Sequence, residues 1–136
     1  MNADTILDKS KLIAFAATTD YPRAREFYEG VLGLHLVEDE TPFALVFDAH
    51  GTMLRVTKVG KQHTPAPFTV LGWQVENIDS VVERLTAGGV EFLRFPGLNE
   101  DSPHGIWTAP GGARVAWFHD PDGNVLSVSE FSPSAS

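Results

Sequence analysis

Leu12-Ile13-Ala14-Phe15-Ala16-Ala17-Thr18, followed by Asp20-Tyr21-Pro22, is the stretch from which the fold can be read. The first seven residues are apolar on both faces, which suits a short buried strand. Asp20 offers a side-chain oxygen to the free amides that open a helix, and Pro22 fits a first helical turn. Ala24, Phe27, Tyr28 and Val31 then recur at helical spacing, with Arg25, Glu26 and Glu29 between them, and Gly33 supplies a stop. Downstream, Leu34–Glu38, Phe43–Phe47 and Met53–Val59 read as strands. The cluster Asp48-Ala49-His50-Gly51 marks a hairpin turn between the last two. Residues 12–59 therefore predict strand, helix and three strands.

After a polar, proline-containing linker over 60–67 the pattern starts again. Phe68–Val75 predicts a strand. Asn77-Ile78-Asp79 opens a helix, with Asp79 as the expected cap; Val81, Val82 and Leu85 form its apolar stripe, and Gly88-Gly89 ends it. Val90–Phe95, Gly105–Ala109, Arg114–His119 and Val125–Phe131 predict extended segments, with a tight turn at Asp120-Pro121-Asp122-Gly123-Asn124. The chain reads as one α+β domain over 1–136, built from two tandem strand–helix–three-strand modules, residues 12–59 and 68–131. Each helix covers one face of its small sheet. The other faces are expected to form a cleft.

Composition narrows the functions. The chain has 136 residues, 43% of them hydrophobic and 21% charged, enough for a core without cross-links. It contains no cysteine, which excludes disulfides, thiolate metal centres and a cysteine nucleophile. A formal charge of −8 argues against nucleic-acid binding, since phosphate contact needs a cationic surplus. No apolar run approaches the ~20 residues of a membrane span. Met1–Lys11 lacks the apolar core of a signal peptide, and Ser132–Ser136 reads as a frayed polar end. A cytoplasmic location is expected.

The strings Asp20, Arg23-Ala24-Arg25-Glu26-Phe27-Tyr28 and Val31-Leu32-Gly33-Leu34, with Val75-Glu76-Asn77-Ile78-Asp79, Gly88-Gly89-Val90 and above all Asp120-Pro121-Asp122-Gly123-Asn124, occur in an order and spacing that resembles the vicinal oxygen chelate superfamily. That superfamily includes glyoxalase I, bleomycin-resistance proteins and extradiol dioxygenases. The resemblance covers roughly residues 12–131 and implies a cleft holding a divalent metal on His, Glu and Gln side chains. Counted from the shared motifs, the ligand positions fall at Ile13, Val70, Arg55 and Ser127. None is a good ligand, and an arginine repels a cation. A shift of one residue adds only the neutral oxygen of Thr69. No metal is expected in the usual place, and no other cofactor: Gly111-Gly112 reads as a hairpin turn rather than a phosphate loop. His35, His50, His63, His104 and His119 show no helical metal-binding spacing.

Strand alternation from these positions puts Phe15, Met53, Arg55, Gln74 and Ser127 on the cleft face, with Trp107 at its rim. This apolar lining with few polar groups suits a small organic ligand. Arg55, its one fixed charge, needs an anion: a ligand carboxylate or phenolate, or an internal Asp or Glu. Trp73 and Trp117 are expected in the core, and Phe43 and Phe95 are further candidates for the lining. Catalytic groups are not identifiable. Ser127, Ser129, Thr57 and Arg55, with His104 on a loop, include no serine–histidine pair of recognisable spacing. The sequence thus predicts metal-independent binding of a small hydrophobic or aromatic, and potentially anionic, molecule. The resemblance to the drug-sequestering branch implies a homodimer sharing the cleft. The alternative is a glyoxalase-like lyase or dioxygenase with a non-standard metal site.

Overall fold

The computed structural model describes residues 6–131. The elements run β1 (Ile13–Thr18), α1 (Tyr21–Arg25), β2 (His35–Asp39), β3 (Leu45–Ala49), β4 (Thr52–Lys58), β5 (Thr69–Gln74), α2 (Ile78–Ala87), β6 (Trp107–Thr108), β7 (Arg114–His119) and β8 (Val125–Glu130). They form two four-stranded sheets of identical design, ordered β1-β4-β3-β2 and β5-β8-β7-β6. In each, the first strand lies parallel to the last and the remaining pairs are antiparallel. A parallel pair cannot be closed by a hairpin, and the helix after β1 or β5 begins the crossover it requires. The predicted α+β tandem-module fold is the one observed.

One apolar cluster unites the two halves. Ala16, Leu45, Phe47, Leu54 and Val56 enter it from the first sheet; Ala116, Phe118, Leu126 and Val128 enter from the second; Ala24, Tyr28, Ile78 and Val82 come from the helices. Burying a side chain such as Phe118 fully contributes roughly 1.5–3 kcal/mol. Alternation then turns the residues between these away from the core, which fixes the identity of the uncovered faces.

Four local expectations need correction. The segment after α1 does not remain an α-helix: Glu26–Val31 continues it as a π-helix, in which the Leu32 amide donates to the Phe27 carbonyl at 2.9 Å. α2 is capped by Asn77, whose Oδ1 accepts from the Ser80 amide at 3.1 Å; Asp79 instead receives a two-bond fork from Arg114, at 2.8 and 3.0 Å. Val90–Phe95 forms no strand beyond a single bridge between Phe92 and Phe118. Beyond it, side chains capture the backbone groups a ladder would use. Asn99 Oδ1 accepts from the Phe95 amide at 2.7 Å, and Asn99 Nδ2 donates to the Leu93 and Gly105 carbonyls at 2.9 and 2.7 Å. Arg94 donates to the carbonyls of Asn99 and Ser102. The fourth correction concerns Trp117: its chain neighbours Ala116 and Phe118 are fully buried, so its own side chain projects from the opposite face. Trp73 does pack against the core. The predicted frayed end Ser132–Ser136 lies outside the described residues.

Candidate functional site

On the first sheet, Ile13, Phe15 and Ala17 of β1 stand in register with Met53, Arg55 and Thr57 of β4. Ile13, Phe15 and Met53 are 45%, 59% and 40% exposed. A row of large apolar side chains left open on a sheet face marks a surface that awaits cover. Arg55 lies within this row and donates from Nη2 to Glu40 Oε1 at 3.1 Å. Its sequence-predicted requirement for an anion is met here by the protein's own carboxylate. Glu40 is the residue that strand reasoning missed, because it sits in the turn beyond β2.

On the second sheet, Gly72, Ser127 and Trp117 share one register row, and Gln74, Ser129, Val115 and Trp107 share the next. Trp117 stands between two aromatic neighbours. The Phe95 ring meets it edge-on with centroids 5.4 Å apart, and the Trp107 ring lies tilted at 6.2 Å. Both spacings fall in the range where aromatic rings attract beyond simple burial. Phe95 is presented by the Asn99-centred loop. Gly72 has a steric reason: a Cβ there would come within 2.8 Å of Ser127 Oγ.

The structure therefore groups the six sequence-predicted residues in two sets, Phe15, Met53 and Arg55 on one sheet and Gln74, Ser127 and Trp107 on the other. Met53 borders a cavity of about 280 Å³ with Ile13, Val37 and Val46, and Gln74 borders one of about 180 Å³ with Leu34 and Leu85. Sequence reasoning placed Trp117 in the core, yet its partner Ser127 was already on the cleft face. Cross-checking the two strands would have found it.

The metal set implied by the resemblance does not fit these residues. Ile13 and Val70 are hydrocarbon, Arg55 is cationic and paired, and Ser127 is a neutral hydroxyl. Among the described residues, no three His, Asp or Glu side chains form a group able to hold a metal ion. His104 is exposed and near Asp79, whose carboxyl is held below the usual range first by the hydrogen bond from Arg114.

The strongest sequence motif is used inside the protein. Buried Asp120 accepts from the Tyr28 hydroxyl at 2.6 Å, from Asn124 Nδ2 at 2.7 Å, and from the Asp122 and Asn124 amides at 2.9 Å. Burial, then the Asp120 charge, pushes the Tyr28 phenol well above its ordinary value. Asp122 accepts from the Thr18 hydroxyl at 2.6 Å, the Thr19 amide and hydroxyl at 2.9 and 2.8 Å, and Arg23 at 2.8 Å. Burial opposes its ionisation, but these donors hold its carboxyl below the usual range. Asn124 also donates to the Ala17 carbonyl at 2.8 Å. This turn clasps the first sheet to the second.

Comparison with known proteins agrees with this architecture. Residues 12–128 match the family model described as Glyoxalase/Bleomycin resistance protein/Dioxygenase superfamily. No curated protein sequence matches the chain. Among solved structures, TnmS3, an antibiotic binding protein from Streptomyces sp. CB03234, is similar with a TM-score of 0.70 and 23% identity, covering 91% of this chain and 97% of that one. TioX from Micromonospora sp. ML1 superposes with a TM-score of 0.68 at 20% identity, over 90% and 99% of the two chains. Lactoylglutathione lyase from Agrobacterium tumefaciens gives a TM-score of 0.68 at 18% identity, over 90% and 93%. At these identities the likeness concerns the fold. With the family model spanning most of its length, the chain belongs to the glyoxalase/bleomycin resistance protein/dioxygenase superfamily.

Proposed function

We propose that the protein binds a small hydrophobic or aromatic molecule against its uncovered sheet faces, without a metal, and sequesters it rather than converting it. The observation that carries this reading is the Phe95–Trp117–Trp107 cluster, three rings set on the second sheet away from the core. Water gains nothing from such a surface, whereas a flat apolar ligand gains burial and ring contacts. The side chains at the family's ligand positions support the metal-independent reading, and the similarity in fold to TnmS3, an antibiotic binding protein, supports small-molecule binding. Exposed Ile13, Phe15 and Met53 support pairing of two copies across these faces, giving a homodimer with a shared cleft. The same reading puts the protein in the cytoplasm; no helix among the described residues is long and apolar enough to cross a membrane.

The test is tryptophan quenching by a panel of one- to three-ring aromatics, with the protein's mass in solution measured in parallel. Saturable quenching is expected, weakened about tenfold in Trp117→Ala, as for the loss of one good ring contact. A panel that quenches nothing overturns the reading. So does stoichiometric metal whose chelation abolishes binding.

A further inference from the structure

We infer that Glu40 is a built-in stand-in for a ligand's acid group, so that the open face of the first sheet selects aromatic monoanions by exchanging Glu40 for them on Arg55. This rests on the binding function proposed above and names the ligand class.

Two arginine–carboxylate pairs in this molecule show the difference between a fixed pair and an exchangeable one. Arg114 grips both oxygens of Asp79, at 2.8 and 3.0 Å. That two-bond fork is the strong, orienting geometry, and it pins the start of α2 to β7. Arg55 meets Glu40 through a single nitrogen and a single oxygen at 3.1 Å, which leaves the rest of the guanidinium fork unused by that carboxylate. The Glu40 backbone is held in its turn. Its amide donates to the Ala44 carbonyl at 2.8 Å, and its own carbonyl accepts from Phe43 at 2.8 Å. The side chain therefore reaches Arg55 from a fixed anchor.

The surroundings of the pair favour an incoming anion that carries a ring. Phe15 is the register partner of Arg55 on β1, and Val46 its partner on β3. Neighbouring strands lie about 4.8 Å apart, so an aromatic acid can rest its ring on Phe15 and place its carboxylate or sulfonate at the guanidinium. As the face is covered by ligand, water leaves and a charge without a partner becomes costly. A neutral ligand leaves the Arg55–Glu40 pair in place. An anionic one can take the unused fork in two-bond geometry and release Glu40 to solvent, where its turn already lies. Glu40 thus keeps Arg55 neutralised in the free protein and sets the threshold that an anion must exceed.

The test uses two dyes of similar shape, anionic 8-anilinonaphthalene-1-sulfonate and neutral N-phenyl-1-naphthylamine, titrated into wild type, Glu40→Gln, Arg55→Gln and Arg55→Lys. Thermal unfolding of each variant checks that it is folded. Removing the competing charge in Glu40→Gln is expected to tighten the anionic dye roughly five- to tenfold and leave the neutral dye unchanged. Arg55→Gln is expected to weaken only the anionic dye, with Arg55→Lys between, since a lysine keeps the charge and loses the fork. Anionic-dye affinity that is unchanged or lower in Glu40→Gln overturns the inference, and so does an equal rise for both dyes. In either case a bound neutral dye leaves the binding function standing. If neither dye binds wild type or variant, both readings fall.

Discussion

The two halves of the molecule close their last hairpin at the same place in the strand order, and do so to opposite ends. Between β3 and β4 the chain turns through Asp48–Gly51, with His50 at φ 52° and Gly51 at φ 97°. Its side-chain bond is local, from the Gly51 amide to Asp48 Oδ1 at 3.0 Å. That turn is largely in water. Between β7 and β8 the chain turns through Asp120–Asn124, with Gly123 at φ 89°; here Asp120 and Asn124 are buried and bonded to Tyr28 and Ala17 of the other half. One turn merely reverses the chain, while its counterpart joins two sheets. The lesson is that a repeated strand order does not repeat the duties of its parts. The second turn holds the halves together and leaves Ile13, Phe15 and Met53 of the first sheet exposed.

Three substitutions can break or sharpen this contrast. Asp120→Ala is expected to have the largest effect, since it strands the buried Tyr28 hydroxyl and the Asn124 amide together. A loss of about 3–5 kcal/mol in urea unfolding is expected. A loss under ~1 kcal/mol would mean that the turn does not clasp. Tyr28→Phe comes next, at about 1–3 kcal/mol, because buried Asp120 Oδ2 loses one of its two donors and keeps only Asn124 Nδ2. It also carries a pH signature. The phenol is raised in the folded state, so its contribution is complete below the unfolded value near 10 and is lost as pH rises above it. Wild type should therefore lose stability above about pH 10 more steeply than Tyr28→Phe; parallel alkaline limbs would refute that origin. Asp48→Ala is the control at the first turn and should cost no more than about 1 kcal/mol, as one exposed hydrogen bond allows. A cost equal to that of Asp120→Ala would erase the distinction.

The sequence made the architecture readable because its signals were local. Apolar runs of six or seven residues, Asp20 as a cap and Gly33 as a stop each depend on near neighbours, and each reappears in the structure. What was hidden depends on partners far away in the chain. Asp79 looks like a cap until Arg114 claims it from 35 positions downstream. Val90–Phe95 looks like a strand until the Asn99 side chain claims the Leu93 carbonyl and the Phe95 amide. The face occupied by Trp117 required the register between β7 and β8, and the partner of Arg55 required the position of a turn rather than a strand. Alternation does put Phe15 and Met53 on the exposed face of the first sheet, while whether one ligand touches both sheets is a matter of assembly that no strand period encodes.

The reach of the clasp has a consequence in time. Asp122 meets Thr18 across 104 positions and Thr19 across 103. At a synthesis rate of about 5–20 residues per second, Thr18 waits roughly 5–20 s for its acceptor to emerge. Throughout that interval the helix bearing Tyr28 has no carboxylate to receive its hydroxyl, and the apolar surface that will meet the second sheet is unsheltered. Contacts so distant along the chain are slow to close, because the loop must be ordered before it is rewarded. The nascent first half is thus the stage of this protein's life most in need of a chaperone, and the last hairpin, once made, is the event that ends its exposure.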